Sequence, residues 1–158
     1  MKALQFKRNL PRYLAARIAG NFSPGAGASF GPIDLVQKEF SEPPGKEWLR
    51  VRPLLSGICG SDLATIDGKS ARYFEPLVSF PFIPGHEVVG ELDDETRVVL
   101  EPVLSCISRN ISPQCLPCAE GQIGICENTA LGDLTPGIQT GSCHDTGGGW
   151  STEFYAHP

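Results

Sequence analysis

Residues Pro84–Gly90 read PGHEVVG, and residues Gly57–Asp62 upstream of them read GICGSD. The first stretch supplies an imidazole with a carboxylate beside it, and the second supplies a thiol, a hydroxyl and a carboxylate. Cysteine sulfur, histidine nitrogen and carboxylate oxygen are the ligand types that Zn²⁺ prefers. The flanking glycines allow the backbone to turn tightly without the steric cost of a Cβ atom. We therefore expect the rest of the chain to be a frame that holds these two stretches face to face.

As a pair, the two motifs resemble the N-terminal signature of the zinc-dependent medium-chain alcohol, polyol and threonine dehydrogenases. The resemblance extends from Met1 to Phe154. It implies a mainly β fold, namely a GroES-like, partly open β-barrel with short helices and a loop-rich cysteine lobe at about residues 104–130. In that family a Rossmann domain that binds NAD or NADP follows the barrel. Residues 1–158 contain no Gly-x-Gly-x-x-Gly after a strand, and the run 147–149 is interpreted as a turn. We thus predict one zinc-carrying domain, 1–158, with the Rossmann domain absent from this chain.

The resemblance makes Cys59 and His86 the candidate ligands of a catalytic Zn²⁺. Such a site keeps three protein ligands and one open position. In the family the third ligand is a cysteine, glutamate or aspartate further along, at a position that this sequence does not reach, or else Glu87 takes its place. Glu87 is therefore either a temporary ligand or a group that orients a ligand, and the sequence does not choose between them. Each residue also has an ordinary interpretation, because a lone cysteine is often a small buried hydrophobe and a lone histidine is often hydrogen-bonded in a core.

Ser61 and Asp62 complete the predicted catalytic set. In the family, the hydroxyl at the position of Ser61 takes the proton of the substrate alcohol, and the carboxylate at the position of Asp62 orients a ligand. The simpler interpretation of Ser61 is that it caps a short helix, a role worth about 1 kcal/mol. Some members have a histidine at the position of Ala64 as a proton relay, and this chain does not.

A second cysteine cluster matches most of the family's structural zinc site. Cys115, Cys118 and Cys126 have the spacing of the last three ligands, whereas the position of the first is occupied by Ser112. Cys106 is predicted to supply the fourth sulfur through a longer loop. A closed site of four cysteines can order a loop that has little apolar content of its own. The alternative is a lobe that has lost its metal, with free thiols or a Cys115–Cys118 disulfide.

Cys143 and His144 lie beside Asp145 in a glycine-rich stretch. Such a pair could be a ligand set or a nucleophile with its base. A lone pair in a loop is more often neither, and we assign these residues no role.

The composition restricts the function classes. A chain of 158 residues with 41% hydrophobic and 20% charged residues is typical of one soluble domain. A net charge of −5 argues against a nucleic-acid partner, and no apolar run long enough for a membrane span occurs. Six cysteines without a signal peptide indicate a cytoplasmic protein with metal-binding thiols rather than a secreted disulfide scaffold. Residues 1–33 contain no acid, which fits either a transit peptide or, as the resemblance implies, a first strand.

Periodicity and turn residues predict the local structure. We expect a helix or a packed loop over Leu10–Ile18, a surface loop over 20–32, and a helix over Ser61–Ile66 capped at Ser61 or Asp62. Tyr73 and Phe74 are the aromatic residues expected in a substrate cleft if any line one. Strands are predicted at Met1–Phe6, Ile33–Phe40, Glu47–Leu55, Phe82–Leu92, Thr96–Val103 and Trp150–His157.

Two functions from different classes follow. The first is the zinc-carrying domain of an NAD(P)-dependent alcohol- or polyol-type dehydrogenase, inactive alone, with a small-molecule substrate and a possible homo-oligomer in the full-length enzyme. The second is a free-standing zinc-binding or interaction module with a GroES-like barrel.

Overall fold

The computed structural model describes residues 1–70 and 72–158, and it describes the side chains of all of these except 72–74. Two antiparallel sheets form the framework. The strands are β1 (Lys2–Phe6), β2 (Ile33–Gln37), β3 (Leu49–Ser56), β4 (Val88–Glu91), β5 (Arg97–Val99) and β6 (Phe154–Ala156). The mainly β prediction is confirmed, although most strands are shorter than the sequence indicated.

The first sheet consists of β1 and β2, which pair in an unbroken register from Lys2 opposite Gln37 to Phe6 opposite Ile33. The prediction of a first strand at the N-terminus is therefore confirmed. Ala3 and Gln5 lie at alternate positions of β1 and are buried, whereas Leu4 between them is 38% exposed; Phe6 at the end of the strand is also buried.

The second sheet has the order β5-β4-β3-β6. Its central strand β3 has a bulge between Pro53 and Leu55, where the register with β4 shifts. A proline cannot donate a ladder hydrogen bond, and bulges accommodate it. Isolated bridges from Ala3 to Ser151 and from Phe6 to Phe82 join β1 to the segments that lead into β6 and β4 of the second sheet. Over the described residues the sheets thus form no closed barrel. The predicted partly open barrel is observed as two joined antiparallel sheets.

Four short α-helices lie between the strands: α1 (Leu10–Phe22), α2 (Gly27–Phe30), α3 (Gly60–Ile66) and α4 (Leu116–Ala119). Two 3₁₀ helices cover Arg72–Leu77 and Ile123–Ile125. The prediction of a surface loop over 20–32 is partly wrong, because α1 extends into it and α2 lies within it. Among the described residues no helix is long and apolar enough to span a bilayer.

Helix α1 is capped by Asn9, whose side chain accepts a hydrogen bond from the Arg12 amide. Its buried face is formed by small residues, Ala16 and Gly20. Its larger apolar residues face solvent instead, namely Leu10, Leu14, Ile18 and Phe22. The apolar spacing predicted the helix correctly, but it marks the exposed face and not the packed one.

Asp67 joins the helical segments. It ends α3, and its carboxylate accepts hydrogen bonds from the Gly25 amide at 3.2 Å and the Gly27 amide at 3.1 Å. The Lys69 ammonium lies 3.2 Å from the same carboxylate. A Cβ atom on Gly27 would lie 2.6 Å from the Ile66 carbonyl oxygen. The α2 backbone therefore reaches α3 only because Gly27 has no side chain.

The core is divided into small clusters. One contains Trp48, Leu104, Leu134, Cys143 and Tyr155, and another contains Val51, Val88 and Phe154. Phe80 and Phe82 pack around Phe6, with ring centroids 5.2 to 6.3 Å apart. These two aromatic residues have the packing role predicted for them, whereas the prediction for Tyr73 and Phe74 concerns side chains outside the described part of the chain.

Gly27→Ala is expected to destabilise the fold by about 1–3 kcal/mol, the usual cost of forcing an extra carbon into a packed site. The measurement is urea unfolding followed by circular dichroism. Gly124→Ala is the matched control, because a Cβ atom there meets nothing within 4 Å. Equal midpoints for the two variants would contradict the close approach of α2 to α3.

Asp67→Asn is expected to lower the thermal midpoint at neutral pH and to lose this effect in acid. The hydrogen bond from the Gly25 amide is the main cause that holds the pKa of Asp67 below its usual value; burial opposes it, and Lys69 and the Gly27 amide add to it. The stabilisation is complete above the unfolded pKa of about 3.9 and disappears as the pH falls through the lower folded value. Melting curves across this range test the prediction, with exposed Glu39→Gln as the control. A difference from wild type that persists at the acid end would contradict it.

Candidate metal centres

The first centre forms where β3 leads into α3. Cys59 is the N-cap of α3, and its backbone amide donates a 2.9 Å hydrogen bond to the Asp62 carboxylate. Helix α3 begins at Gly60, which places Ser61 inside its first turn. The prediction that Ser61 or Asp62 caps this helix is therefore wrong: the cap is Cys59, two residues before Ser61, and Asp62 closes the capping box from the third helical position.

His86 and Glu87 reach the same place from the loop before β4. Gly85 has φ +98°, a left-handed conformation that favours glycine. Ser56 pairs with Val88 across β3 and β4, and the Gly57 amide donates a 2.7 Å hydrogen bond to the Glu87 carbonyl. This pairing brings the ends of the two strands side by side.

The structure brings together the predicted ligands of this centre. One ligand atom each from Cys59, His86 and Glu87 all lie within 4.8 Å of one another. Cys59 and His86 are partly buried and Glu87 is exposed. A thiolate, an imidazole and a carboxylate fit the donor preference of Zn²⁺, and the exposed side leaves room for a further ligand.

Asp62 lies behind this set. It is 8% exposed, and one carboxylate oxygen is 3.7 Å from His86 Nδ1. Burial raises the pKa of Asp62, and the nearby Glu87 adds to this, while the Cys59 amide and the His86 ring oppose it. A carboxylate in this place can fix the orientation of the imidazole. Ser61 is exposed at the rim, next to Asp62.

Trp150 is a residue of this centre that the sequence did not reveal. Its indole nitrogen donates a 3.2 Å hydrogen bond to the Gly57 carbonyl, and its backbone amide donates to Pro84 at 3.0 Å. The neighbouring Gly149 amide donates to the Gly85 carbonyl at 2.8 Å. The run of glycines before a tryptophan was the available signal, since it allows a backbone to pass close to another backbone.

The second centre lies in the cysteine lobe. The sulfur atoms of Cys106, Cys115, Cys118 and Cys126 lie within 4.8 Å of one another. Cys106 Sγ is 3.6 Å from that of Cys115 and 3.7 Å from that of Cys126. Tetrahedral zinc with Zn–S bonds of about 2.3 Å requires sulfurs just under about 4 Å apart, so the four residues fit this metal. All six cysteines are free thiols, and Ser112 is exposed.

Hydrogen bonds prepare one sulfur of this lobe for a negative charge. Burial acts to raise the pKa of Cys106, but the Cys115 amide at 3.4 Å and the Asn128 side-chain amide at 3.2 Å donate to its sulfur and lower the pKa to about 6. Burial raises the pKa of Cys118 to about 12. Asn128 is the second residue that sequence reasoning missed, because an isolated asparagine in a loop has no pattern to mark it.

Cys143, His144 and Asp145 do not form a set. The buried Cys143 thiol lies 3.5 Å from the Thr135 carbonyl, and the His144 ring is 2.7 Å from the Pro81 carbonyl. Asp145 accepts a hydrogen bond from the Thr135 amide at 2.7 Å. Cys143 and Asp145 thus both bond Thr135, and His144 bonds a distant segment.

A cavity of about 440 Å³ lies beside α1, away from both centres. Phe6, Phe80 and Phe82 form its apolar wall, and polar groups of α1, α3 and the loops form its rim. None of the candidate ligands lines it.

Comparison with known families agrees with the geometry. The sequence profile of the alcohol dehydrogenase GroES-like domain matches residues 45–158. The chain belongs to this family. Residues before 45, including β1, β2, α1 and α2, precede the matched region.

Two curated proteins illustrate the sequence similarity. The chain is 31% identical over 109 residues to the starvation-sensing protein RspB of Escherichia coli, covering 63% of this chain and 29% of that protein. It is 37% identical over 94 residues to D-altritol 5-dehydrogenase of Agrobacterium fabrum, covering 53% and 24%. The chain therefore spans less than a third of the length of either relative.

A thermostable alcohol dehydrogenase from Pyrobaculum aerophilum, solved with cobalt and zinc bound, has a similar fold. The likeness has a TM-score of 0.62 at 21% identity and covers 99% of this chain and 39% of that one.

Asn128→Ala is expected to raise the pKa of Cys106 in metal-free protein by about one unit or more. A hydrogen bond to a charged group is worth about 1.5–3 kcal/mol, and one pKa unit corresponds to about 1.36 kcal/mol. The ultraviolet absorbance of thiolate, titrated against pH, measures the shift. Asn110→Ala is the control, because that exposed amide bonds Asp133 instead. An unchanged first titration step would contradict the assigned hydrogen bond.

Proposed function

We propose that this chain is the zinc-carrying catalytic domain of an NAD(P)-dependent dehydrogenase of small alcohols or polyols. The observation that carries the proposal is the convergence of Cys59, His86 and Glu87 at one exposed point. Membership of the alcohol dehydrogenase GroES-like family supports the same reaction class.

Cys59 and His86 would hold the metal, with Glu87 as the third protein ligand. A bound Zn²⁺ supplies Lewis acidity, which lowers the pKa of a hydroxyl placed in its open position. The exposed side of the centre, where Glu87 and Ser61 lie, is the side from which an alcohol would enter.

The remaining polar residues would handle orientation and the proton. Asp62, bonded to the Cys59 amide and 3.7 Å from His86 Nδ1, holds both ligand-bearing segments in one arrangement. Ser61 lies in the first turn of α3, next to Asp62, and its exposed position allows it to accept the substrate proton and pass it to water. Water is the expected relay because Ala64 offers no titratable group.

The cysteine lobe would hold a second, structural Zn²⁺ through Cys106, Cys115, Cys118 and Cys126. Four thiolates close a tetrahedral site and leave no position for substrate. In this assignment the lobe orders the chain and the first centre performs the chemistry.

Hydride transfer requires a cofactor that accepts the hydride, and in this proposal that cofactor is NAD or NADP. We propose that a nucleotide-binding domain accompanies this one in the active enzyme, in keeping with the greater length of the relatives. The present chain is therefore expected to bind zinc without oxidising alcohols.

Metal analysis of single variants tests the two centres separately. Zinc per chain, measured by elemental spectrometry after dialysis, is expected to fall by one site in Cys59→Ala and by one site in Cys115→Ala. Cys143→Ala is the matched control, since this buried thiol belongs to neither cluster, and it should retain the wild-type content. Unchanged zinc in Cys59→Ala would remove the basis of the dehydrogenase assignment.

A probe of the open coordination position separates an enzyme domain from a zinc-binding module. In cobalt-substituted Cys115→Ala, imidazole is expected to shift the visible absorption of the remaining cobalt, because the first centre is open. A closed, purely structural centre would leave the spectrum unchanged, and this result would favour the free-standing module.

A further inference from the structure

Arg109 is fully buried, with 0% of its surface exposed. Arginine is rarely buried completely unless it is paired with an acid. No carboxylate of the described residues lies within ion-pair distance of this guanidinium. Its hydrogen bonds go to backbone carbonyls instead, which belong to Leu104, Leu131, Leu134, Thr135 and Gly137, at 2.5 to 3.5 Å.

Arg109 links the segment that carries Cys106 to the segment that follows Cys126. It follows Cys106 by less than one helical turn, and its amide bonds the Ser105 carbonyl at 3.2 Å. Its guanidinium bonds the segment 131–137, which follows Cys126. The spacing between the first and last cysteines of the cluster therefore depends on this side chain.

Carbonyl oxygens alone do not explain a buried cation. They bear partial charge only, and any donor of similar size could bond them, whereas removing a full positive charge from water is costly without a full negative charge nearby. Among the described residues, the Asp145 carboxylate and cysteine thiolates act on Arg109, and the cysteine cluster is the place where several negative charges could be concentrated. Four thiolates exceed the charge of one Zn²⁺, so the filled site is an anion.

The electrostatic environment of Arg109 agrees with this account. Burial lowers the pKa of Arg109, while the charges of Cys143, Cys126, Asp145 and Cys106 act in the opposite direction. Two of these four groups are ligands of the proposed cluster.

We propose that Arg109 is the counter-ion of the metal-filled cysteine lobe, and that its positive charge strengthens metal binding there. The proposal rests on the structural zinc site proposed above. Arg109 is a positioning residue. It contacts no ligand atom of the first centre, and its effect on metal binding is confined to the cysteine lobe.

The test is the difference in thermal midpoint between zinc-loaded and metal-free protein, measured for wild type, Arg109→Met and Arg109→Lys. A ligand that binds only the folded state raises its midpoint according to its affinity. The methionine and lysine variants both lose the planar fork that bonds the backbone carbonyls, so this loss largely cancels when the two variants are compared with each other. The charge does not cancel, because it meets the cluster's anion only in the loaded form.

Arg109→Met is expected to decrease the difference in thermal midpoint between zinc-loaded and metal-free protein. In competition with a chelator, the zinc affinity of the lobe is expected to fall by about tenfold or more, which corresponds to about 1.4 kcal/mol. Arg109→Lys keeps the charge without the planar fork, and it is expected to retain most of the difference. Asn110→Ala, an exposed neighbour, is the control for unrelated changes in the lobe.

The proposal would be overturned if the difference in thermal midpoint between zinc-loaded and metal-free protein decreased equally in the lysine and methionine variants. It would also be overturned by a methionine variant that is less stable overall but binds zinc as wild type does. Should Cys115→Ala contain as much zinc as wild type, the structural site itself would fail, and the counter-ion role with it. Zinc retained at the proposed first centre reports that each zinc-loaded variant is folded, and the melting transition reports it for the metal-free forms.

Discussion

The structure depends on a close approach of three backbone segments around Trp150. Its amide bonds Pro84, its indole bonds Gly57, and the Gly149 amide bonds Gly85. A Cβ atom on Gly85 would lie 2.6 Å from the Trp150 ring, so the contact requires glycine. Both ligand-bearing stretches are attached to one late segment of the chain, and the first metal centre has its geometry only once that segment is in place.

Because the first centre depends on hydrogen bonds from the Trp150 segment as well as on its ligands, only part of it could be predicted from the sequence. The residue types in GICGSD and PGHE indicate a metal by their chemistry, and the resemblance of the paired motifs to the zinc-dependent dehydrogenases implies that the two stretches face each other. The sequence therefore predicts that Cys59 and His86 meet. The role of Trp150 was only partly signalled: the glycines before it permit a close backbone approach, but a hydrogen bond between segments far apart in sequence leaves no local periodicity that identifies the partner.

The N-terminal helices show a different difficulty. Apolar residues spaced four apart predicted α1, but periodicity does not say which face is buried. Here the small residues Ala16 and Gly20 face inward, because α1 packs closely against the Asp67 region, where a Cβ atom on Gly20 would lie 2.9 Å from the carboxyl carbon. The loop prediction for 20–32 failed for a related reason. Glycine and serine were interpreted as signs of irregular structure, whereas Gly27 is needed for a close helix contact with α3.

The cysteine lobe is built on hydrogen bonds and charge more than on apolar burial. Residues 104–149 contain only two short helical turns. This segment contributes three residues to the small cluster around Trp48, namely Leu104, Leu134 and Cys143. Arg109 gathers the carbonyls of this segment, and Asn128 bonds the sulfur of Cys106. A segment with so little apolar contact gains most of its folding free energy from whatever binds its polar groups. In the proposed assignment, metal binding and folding of the lobe are for this reason one process. The two centres then differ in kind: the sheet positions the ligands of the first, whereas the ligands of the second position the chain.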